Sequence, residues 1–242
     1  MESKIDILSV PIWNLTLEEA KDLVFQWIEE GKAASIATAN AEMLMRAKED
    51  EELANILRHA DLVVPDGAGV LWAAEQQGKK FKERVAGFDL SCRLLQEAAV
   101  RGTKVYFFGG AEGIAAAAAQ KVAAMYGPIS VAGVHSGFFS PEDETDIIRE
   151  ICDTGAQILL VALGVPKQEK WIAQHLYELG PCVCIGVGGS LDVLAGKALR
   201  APKWMQEHRL EWFFRLYKEP TRFKRMLALP RFVAAVKAQR RS

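Results

Sequence analysis

The sequence predicts an α/β protein: a mainly parallel sheet with helices on both faces, and a basic amphipathic helical appendage at its C-terminal end. Three observations carry that expectation. Short apolar runs alternate with helical patterns through most of the chain, the alternation that builds parallel sheets. Several of these runs end in turns rich in Gly, Asp or Asn, where open α/β sheets place their ligand loops. After Gly196 the strand pattern stops. Residues 200–242 then carry twelve Lys and Arg against three Glu, a formal +9 that leaves −10 on residues 1–199. We therefore expect a catalytic core over 1–199 and an appendage over 200–242, with an anionic partner for the appendage.

The elements follow in order. Ile5–Leu8 is a short apolar stretch with strand character. Thr16-Leu17-Glu18-Glu19 reads as a capping box. Ala20, Leu23, Val24, Trp27 and Ile28 then recur at helical spacing up to Gly31. Ala33–Ala37 suits a buried strand and delivers Thr38 and Asn40. A helix is expected from about Glu42 to Arg58, broken near Asp50. Leu62-Val63-Val64 is the next strand. Pro65 stops its pairing, and Gly67 and Gly69 turn the chain into a helix holding Val70, Leu71, Trp72 and Ala73. Arg84–Asp89 leads into a helix to about Arg101. Lys104–Phe108 is a strand, Gly113–Tyr126 an alanine-rich helix, and Ile129–Val134 a strand ending at His135. Ser140 and Pro141 read as the N-cap and first turn of a helix. Gln157–Leu163 is a strand, Lys167–Leu179 a helix, and Cys182–Val187 the last core strand. In the appendage, Trp204, Met205, Leu210, Trp212, Phe213, Leu216 and Tyr217 form a helical apolar pattern, interrupted at Pro220 and followed by apolar residues mixed with Arg and Lys.

Half of the 242 residues are apolar, enough for one sizeable core. No basic-then-apolar leader opens the chain, so no secretory signal is expected. No uncharged apolar run reaches about 18 residues, so no spanning helix is expected. The four cysteines, Cys92, Cys152, Cys182 and Cys184, have neither redox-pair nor zinc spacing and read as buried, reduced thiols.

Asp66 sits at a strand end beside backbone that a ligand can approach closely; its bland alternative is a helix N-cap. Thr38 and Asn40 follow another apolar run in the same manner, so the two clusters can face one crevice. Two glycine clusters, at 109–113 and 186–189, each join a strand to a helix. Either could receive an anion at the helix start, but tight turns use glycine as well. Gln168 can donate and accept at a sugar hydroxyl; its bland alternative is an exposed residue of a first helical turn. His135 stands at a strand end, as a site residue or a structural one. The histidines lack metal spacing and no DxD occurs, so no metal ligand pair is apparent.

Together these motifs resemble the WecG/TagA/CpsF glycosyltransferases. The matching stretches are Thr38-Ala39-Asn40, Pro65-Asp66-Gly67, Arg84–Leu90, Phe108-Gly109-Gly110, Gly164–Glu169, Gly186–Gly196 and Arg200-Ala201-Pro202, with Leu210-Glu211-Trp212, Arg215, Pro220 and Arg222 in the tail. They span nearly the whole chain in order. The resemblance implies a Rossmann-like fold and an inverting transfer from a UDP-sugar to a polyprenyl-diphosphate-linked acceptor. For the teichoic-acid branch this is N-acetylmannosamine passed to undecaprenyl-diphosphate-N-acetylglucosamine. It implies no cofactor, no catalytic metal and no nucleic acid, and work at the cytoplasmic membrane face against an anionic membrane surface, with a homo-oligomer.

Carried over by motif, Asp66 is the expected general base, and Thr38 and Asn40 its positioning or donor-sugar contacts. Gln168 falls on the sugar, and Arg84 on a phosphate or sugar. Gly188, Gly189 and Asp192 belong to the uridine diphosphate pocket. Without a metal, cations must meet the departing diphosphate, and Arg215, Arg222 and Arg225 are the candidates, closing as a lid or contacting lipid headgroups. One departure stands out: the family's His-Gly-Tyr-Phe block reads His135-Ser136-Gly137-Phe138-Phe139 here, which leaves UDP-glucose and UDP-N-acetylmannosaminuronic acid open as donors. Two rival readings differ in class. A nicotinamide oxidoreductase would need GxGxxG on the first strand, where Val10-Pro11-Ile12-Trp13 stands. A non-catalytic sugar-nucleotide sensor would bind without turnover.

Overall fold

The computed structural model describes residues 3–208, 210–218, 223 and 227–239. The chain opens with an antiparallel hairpin, β1 (Lys4–Ile7) and β2 (Val10–Trp13), followed by α1 (Leu17–Glu29). Next come β3 (Ala34–Ala39), α2 (Ala41–Glu49), α3 (Glu51–His59), β4 (Leu62–Pro65), α4 (Ala68–Gln76) and α5 (Gly87–Arg101). Then follow β5 (Val105–Gly109), α6 (Ile114–Tyr126), β6 (Val131–His135), α7 (Glu144–Thr154), β7 (Ile158–Ala162), α8 (Lys167–His175), β8 (Val183–Gly186) and α9 (Ser190–Leu194). The tail holds α10 (Lys203–Glu207), α11 (Glu211–Lys218) and a C-terminal helix, Ala228–Gln239.

Strands β3–β8 form one sheet in the order β4-β3-β8-β7-β5-β6, every pairing parallel. Side chains alternate across a strand, and here both faces are apolar. Ile36, Val64, Phe107, Leu160 and Ile185 pack under α1, α5, α6 and α9. On the opposite face Ala37 and Val63 pack with α2, α3, α4 and the C-terminal helix, while Phe108 and Leu159 pack with α7 and α8. Each such fully buried large side chain contributes about 1.5–3 kcal/mol of transfer free energy. A sheet covered on both faces needs continuous apolar runs, which is why LVV and ILLVA were readable as strands.

Local rules hold at several joints. The Thr16–Glu19 capping box forms in both directions. The expected break near Asp50 is real: Asp50 ends α2 and caps α3, accepting from Leu53 N. Two expectations fail. Ser140 does not cap α7. Its N–H and hydroxyl both donate to Asp143 Oδ2, closing a turn, and Asp143 takes the cap position. The cysteines are not uniformly buried: Cys182 and Cys184 are, Cys92 is half-buried and Cys152 is exposed. The hairpin is an addition. Leu8 and Ser9 both take positive φ, as a tight two-residue connection requires, and Asp6 Oδ1 accepts from Ser9 N.

The C-terminal helix lies against α2 and α4, burying Phe232, Ala235 and Val236 in the cluster shared with β1 and β2. Trp204, Trp212, Phe213, Tyr217, Phe223 and Leu227 are exposed. Among the described residues no helix is long and apolar enough to cross a membrane.

Candidate active site

Register brings the first two clusters together. Ala39 pairs with Pro65 at the carboxyl ends of β3 and β4, and Asp66 N donates to Ala39 O. Asn40 therefore stands beside the Asp66 turn; a Cβ at Gly67 would sit 3.3 Å from Asn40 Cβ. The Asn40 side chain caps α2, its Oδ1 accepting from Met43 N at 3.0 Å, a bond type that stabilises a helix by about 1 kcal/mol. The cap position of α4 is occupied by Gly67, so Asp66 is not that helix's N-cap. Val85 N donates to Pro65 O, which brings the start of α5 to the same edge. There Gly87 lies so close to the buried Thr38 that a Cβ would come within 2.9–3.1 Å of its side chain.

The other wall comes from β7 and β8. Gly164 and Val165 follow β7, and Val165–Pro166 is a cis peptide. Gln168 opens α8 but is only 2% exposed, which overturns the exposed first-turn alternative. Its Oε1 accepts from Gly164 N at 3.2 Å and Gly188 N at 3.0 Å, and its Nε2 donates to Glu169 Oε1 at 2.7 Å. Burial pushes the Glu169 carboxyl up to about 7, opposed in part by the Gln168 hydrogen bond. Arg46 on α2 donates to Val165 O at 3.0 Å and to Glu42 at 3.1 Å, tying this wall to the first.

Between the walls lies a cleft of about 450 Å³ at the carboxyl edge of the sheet. Thr38, Asn40, Asp66, Gln168, Gly188, Gly189 and Asp192 all line it. Arg84 does not. It stands behind Glu211, pairing with its carboxylate at 3.5 Å. Arg215 falls on α11, and Arg222 and Arg225 lie outside the described residues. The first glycine cluster lies away from the cleft. Gly109, with φ of 123°, packs so tightly that a Cβ would meet Ala162 O at 2.5 Å, and Gly110 N donates to Ala162 O; that turn serves chain packing. His135 bonds Ser136 O through Nδ1, and neither 136 nor 138 lines the cleft, so the departure in that block falls outside the cleft wall.

Sequence reading missed Glu42, Phe88, Lys197 and Glu211, which also line the cleft. Glu211 had a signal, the Leu-Glu-Trp stretch, but its placement needs the fold. Arg200 grips Asp89 in a two-pronged pair at 2.6 and 2.7 Å and stacks over Phe88. It approaches Glu211 to 4.0 Å, and so links the start of α5 to α11. Among the described lining residues Glu42, Asp66, Asp192 and Glu211 are acidic and Lys197 is the one basic side chain. An anionic ligand here needs further cations from outside that wall.

A family model for the glycosyl transferase WecG/TagA/CpsF family matches residues 5–242. Two N-acetylglucosaminyldiphosphoundecaprenol N-acetyl-beta-D-mannosaminyltransferases are similar. The protein from Bacillus spizizenii (strain ATCC 23059 / NRRL B-14472 / W23) is 34% identical over 210 residues, 87% of this chain and 81% of the relative. That from Bacillus subtilis (strain 168) is 32% identical over 231 residues, 95% of this chain and 90% of the relative. A family match over nearly the full length and relatives above 30% identity agree: the chain belongs to the WecG/TagA/CpsF glycosyltransferase family.

Proposed function

We propose that the protein transfers N-acetylmannosamine from UDP-N-acetylmannosamine to an undecaprenyl-diphosphate-linked N-acetylglucosamine, inverting the anomeric carbon without a catalytic metal. The observation that carries this reading is the convergence of Asp66, Thr38, Asn40, Gln168, Gly188, Gly189 and Asp192 on one cleft. Asp66 takes the proton of the acceptor hydroxyl as that oxygen bonds the anomeric carbon, while the bond to UDP breaks on the opposite side. Thr38 and Asn40 form the wall beside the base. Gly188, Gly189 and Asp192 border the nucleotide, with the Gln168 amide behind the glycines. The acidic lining makes the departing diphosphate depend on imported charge. Arg215, Arg222 and Arg225 of the appendage supply it, with Arg84 released from Glu211 as the donor enters.

Incubated with UDP-N-acetylmannosamine and a lipid-diphosphate-N-acetylglucosamine analogue, the protein is expected to release UDP at an unchanged rate in EDTA. Loss of turnover in EDTA would refute metal independence. A screen with UDP-glucose and UDP-N-acetylmannosaminuronic acid as donors tests the sugar. UDP-sugar binding without turnover on any acceptor would instead favour a sensor.

The exposed aromatic residues of 204–223 and the basic tail suit docking on an anionic membrane at its cytoplasmic face. Deleting 200–242 would strip Phe232 and Val236 from the core, so a double substitution on α11, Trp212→Ser with Phe213→Ser, is the cleaner test. It is expected to lower sedimentation with phosphatidylglycerol vesicles; unchanged sedimentation would argue against docking through this helix. A homo-oligomer belongs to the same reading, and sedimentation velocity with and without vesicles checks it.

A further inference from the structure

Behind the cleft wall lies a carboxyl group that the mechanism above does not use. Glu169 is 4% exposed, and its Oε2 has no hydrogen-bond partner among the described residues. A carboxyl so placed is costly to bury, and a leucine would fill the space more cheaply. Its geometry gives a reason for its presence. A glutamine amide has an accepting end and a donating end. Here the accepting end takes two backbone N–H groups, from Gly164 and Gly188, on two loops that line the cleft; in the transferase reading Gly188 borders the nucleotide. The donating end is then buried and needs an acceptor, which Glu169 Oε1 provides at 2.7 Å. Both ends demand the same orientation of the amide, so the carboxyl and the two loops hold one another in register.

Strand β8 makes room for this pair. A Cβ at Gly186 would lie 2.6 Å from Gln168 Nε2 and 3.1 Å from Glu169 Oε1. The backbone there is free of positive φ, so glycine is required for close approach and not for chain direction. Next to it Gly188 takes φ of 48°, a conformation that its hydrogen bond to Gln168 secures.

We propose that Glu169 is a positioning residue for the donor half of the site: it orients the Gln168 amide, which in turn holds the Gly164 and Gly188 loops in their binding geometry. This rests on the transferase reading, and the experiment separates the two. Full-length wild type, Glu169→Met, Glu169→Gln and Gly186→Ala are compared for KM of the UDP-sugar, KM of the lipid acceptor, kcat, and deuterium exchange over 186–190. Glu169→Met removes the acceptor, and Gly186→Ala pushes on the amide from the strand side. Each is expected to raise donor KM about tenfold, with faster exchange at 186–190 and acceptor KM nearly unchanged. Glu169→Gln keeps an accepting oxygen and is expected to restore donor KM to within about twofold of wild type.

A purely structural role would reduce the folded fraction, and so kcat, with donor KM unmoved; that result overturns the proposal. Equal KM increases in Glu169→Gln and Glu169→Met overturn it as well, because the accepting oxygen would then not matter. If Glu169→Met does not fold, Gly186→Ala carries the test. If wild type turns over no UDP-sugar, the transferase reading fails. The exchange data then decide the positioning role alone: faster exchange at 186–190 supports it, and unchanged exchange overturns it.

Discussion

Replacing Asp66 by Asn is expected to lower kcat by about 10²–10⁴-fold, the usual contribution of a positioned general base, while UDP binding stays within about twofold. The substitution removes a proton acceptor and little volume. Asp66 lies in the turn between β4 and α4, after the last pair of the β3–β4 ladder and before the cap position, which Gly67 holds. Its backbone N–H bond to Ala39 O survives the change. A pre-steady-state measurement distinguishes the roles: loss of the base slows the chemical step, whereas loss of a donor contact raises donor KM. Full activity in the variant would remove Asp66 from the mechanism. Loss of UDP affinity in parallel with rate would instead make it a binding residue.

The second large effect concerns stability and pH. Burial raises the Glu169 carboxyl from its ordinary 4.5 to about 7, against the hydrogen bond from Gln168 and the field of Arg46. Nearby charges are already engaged: Arg46 with Val165 O and Glu42, Lys170 with Asp50 and Glu52 on α3. A carboxyl raised on folding favours the folded state while it is protonated. Its stabilisation is therefore complete below about 4.5 and is lost as pH rises through about 7. The shift corresponds to a loss on the order of 3 kcal/mol. Glu169→Gln cannot ionise and escapes that loss. Urea unfolding at pH 5 and pH 8 is expected to show the variant gaining on wild type by that amount over the interval. Glu18 and Asp50 are shifted the other way by Arg93 and Lys170, their first causes. They titrate below this window, and they are common to both proteins. Parallel stability curves would mean that Glu169 ionises as freely in the fold as in the unfolded chain.

The two predictions concern residues that differed sharply in legibility. Asp66 was readable because Pro65, Gly67 and Gly69 punctuate an apolar run, and one-dimensional punctuation places a strand end. Glu169 was not, because a glutamate in the first turn of a helix ordinarily faces water and complements the helix dipole. Its burial follows from how α8 lies on β8 beside Gly186, a contact between segments 17 residues apart. The exposed first-turn alternative for Gln168 failed for the same reason. Ser140-Pro141 had the composition of a helix start, but the Ser140 N–H and hydroxyl both donate to Asp143 Oδ2, which closes a turn ahead of the helix.

Order along the chain, apolar runs and turn residues were enough to place strands, helices, the α/β class and the stretches at the carboxyl edge, since each depends on neighbours a few residues away. Which edges face each other was settled by sheet order. With β3 between β4 and β8, residues 38–40, 66, 164–168 and 188–192 share a cleft, while the equally glycine-rich 109–113 turn is left outside it. Arg84 ended up against Glu211 because the chain returns across the core after Arg200. Long-range pairing of this kind is selected by the burial of both sheet faces at once, a cooperative outcome that no local stretch of residues encodes.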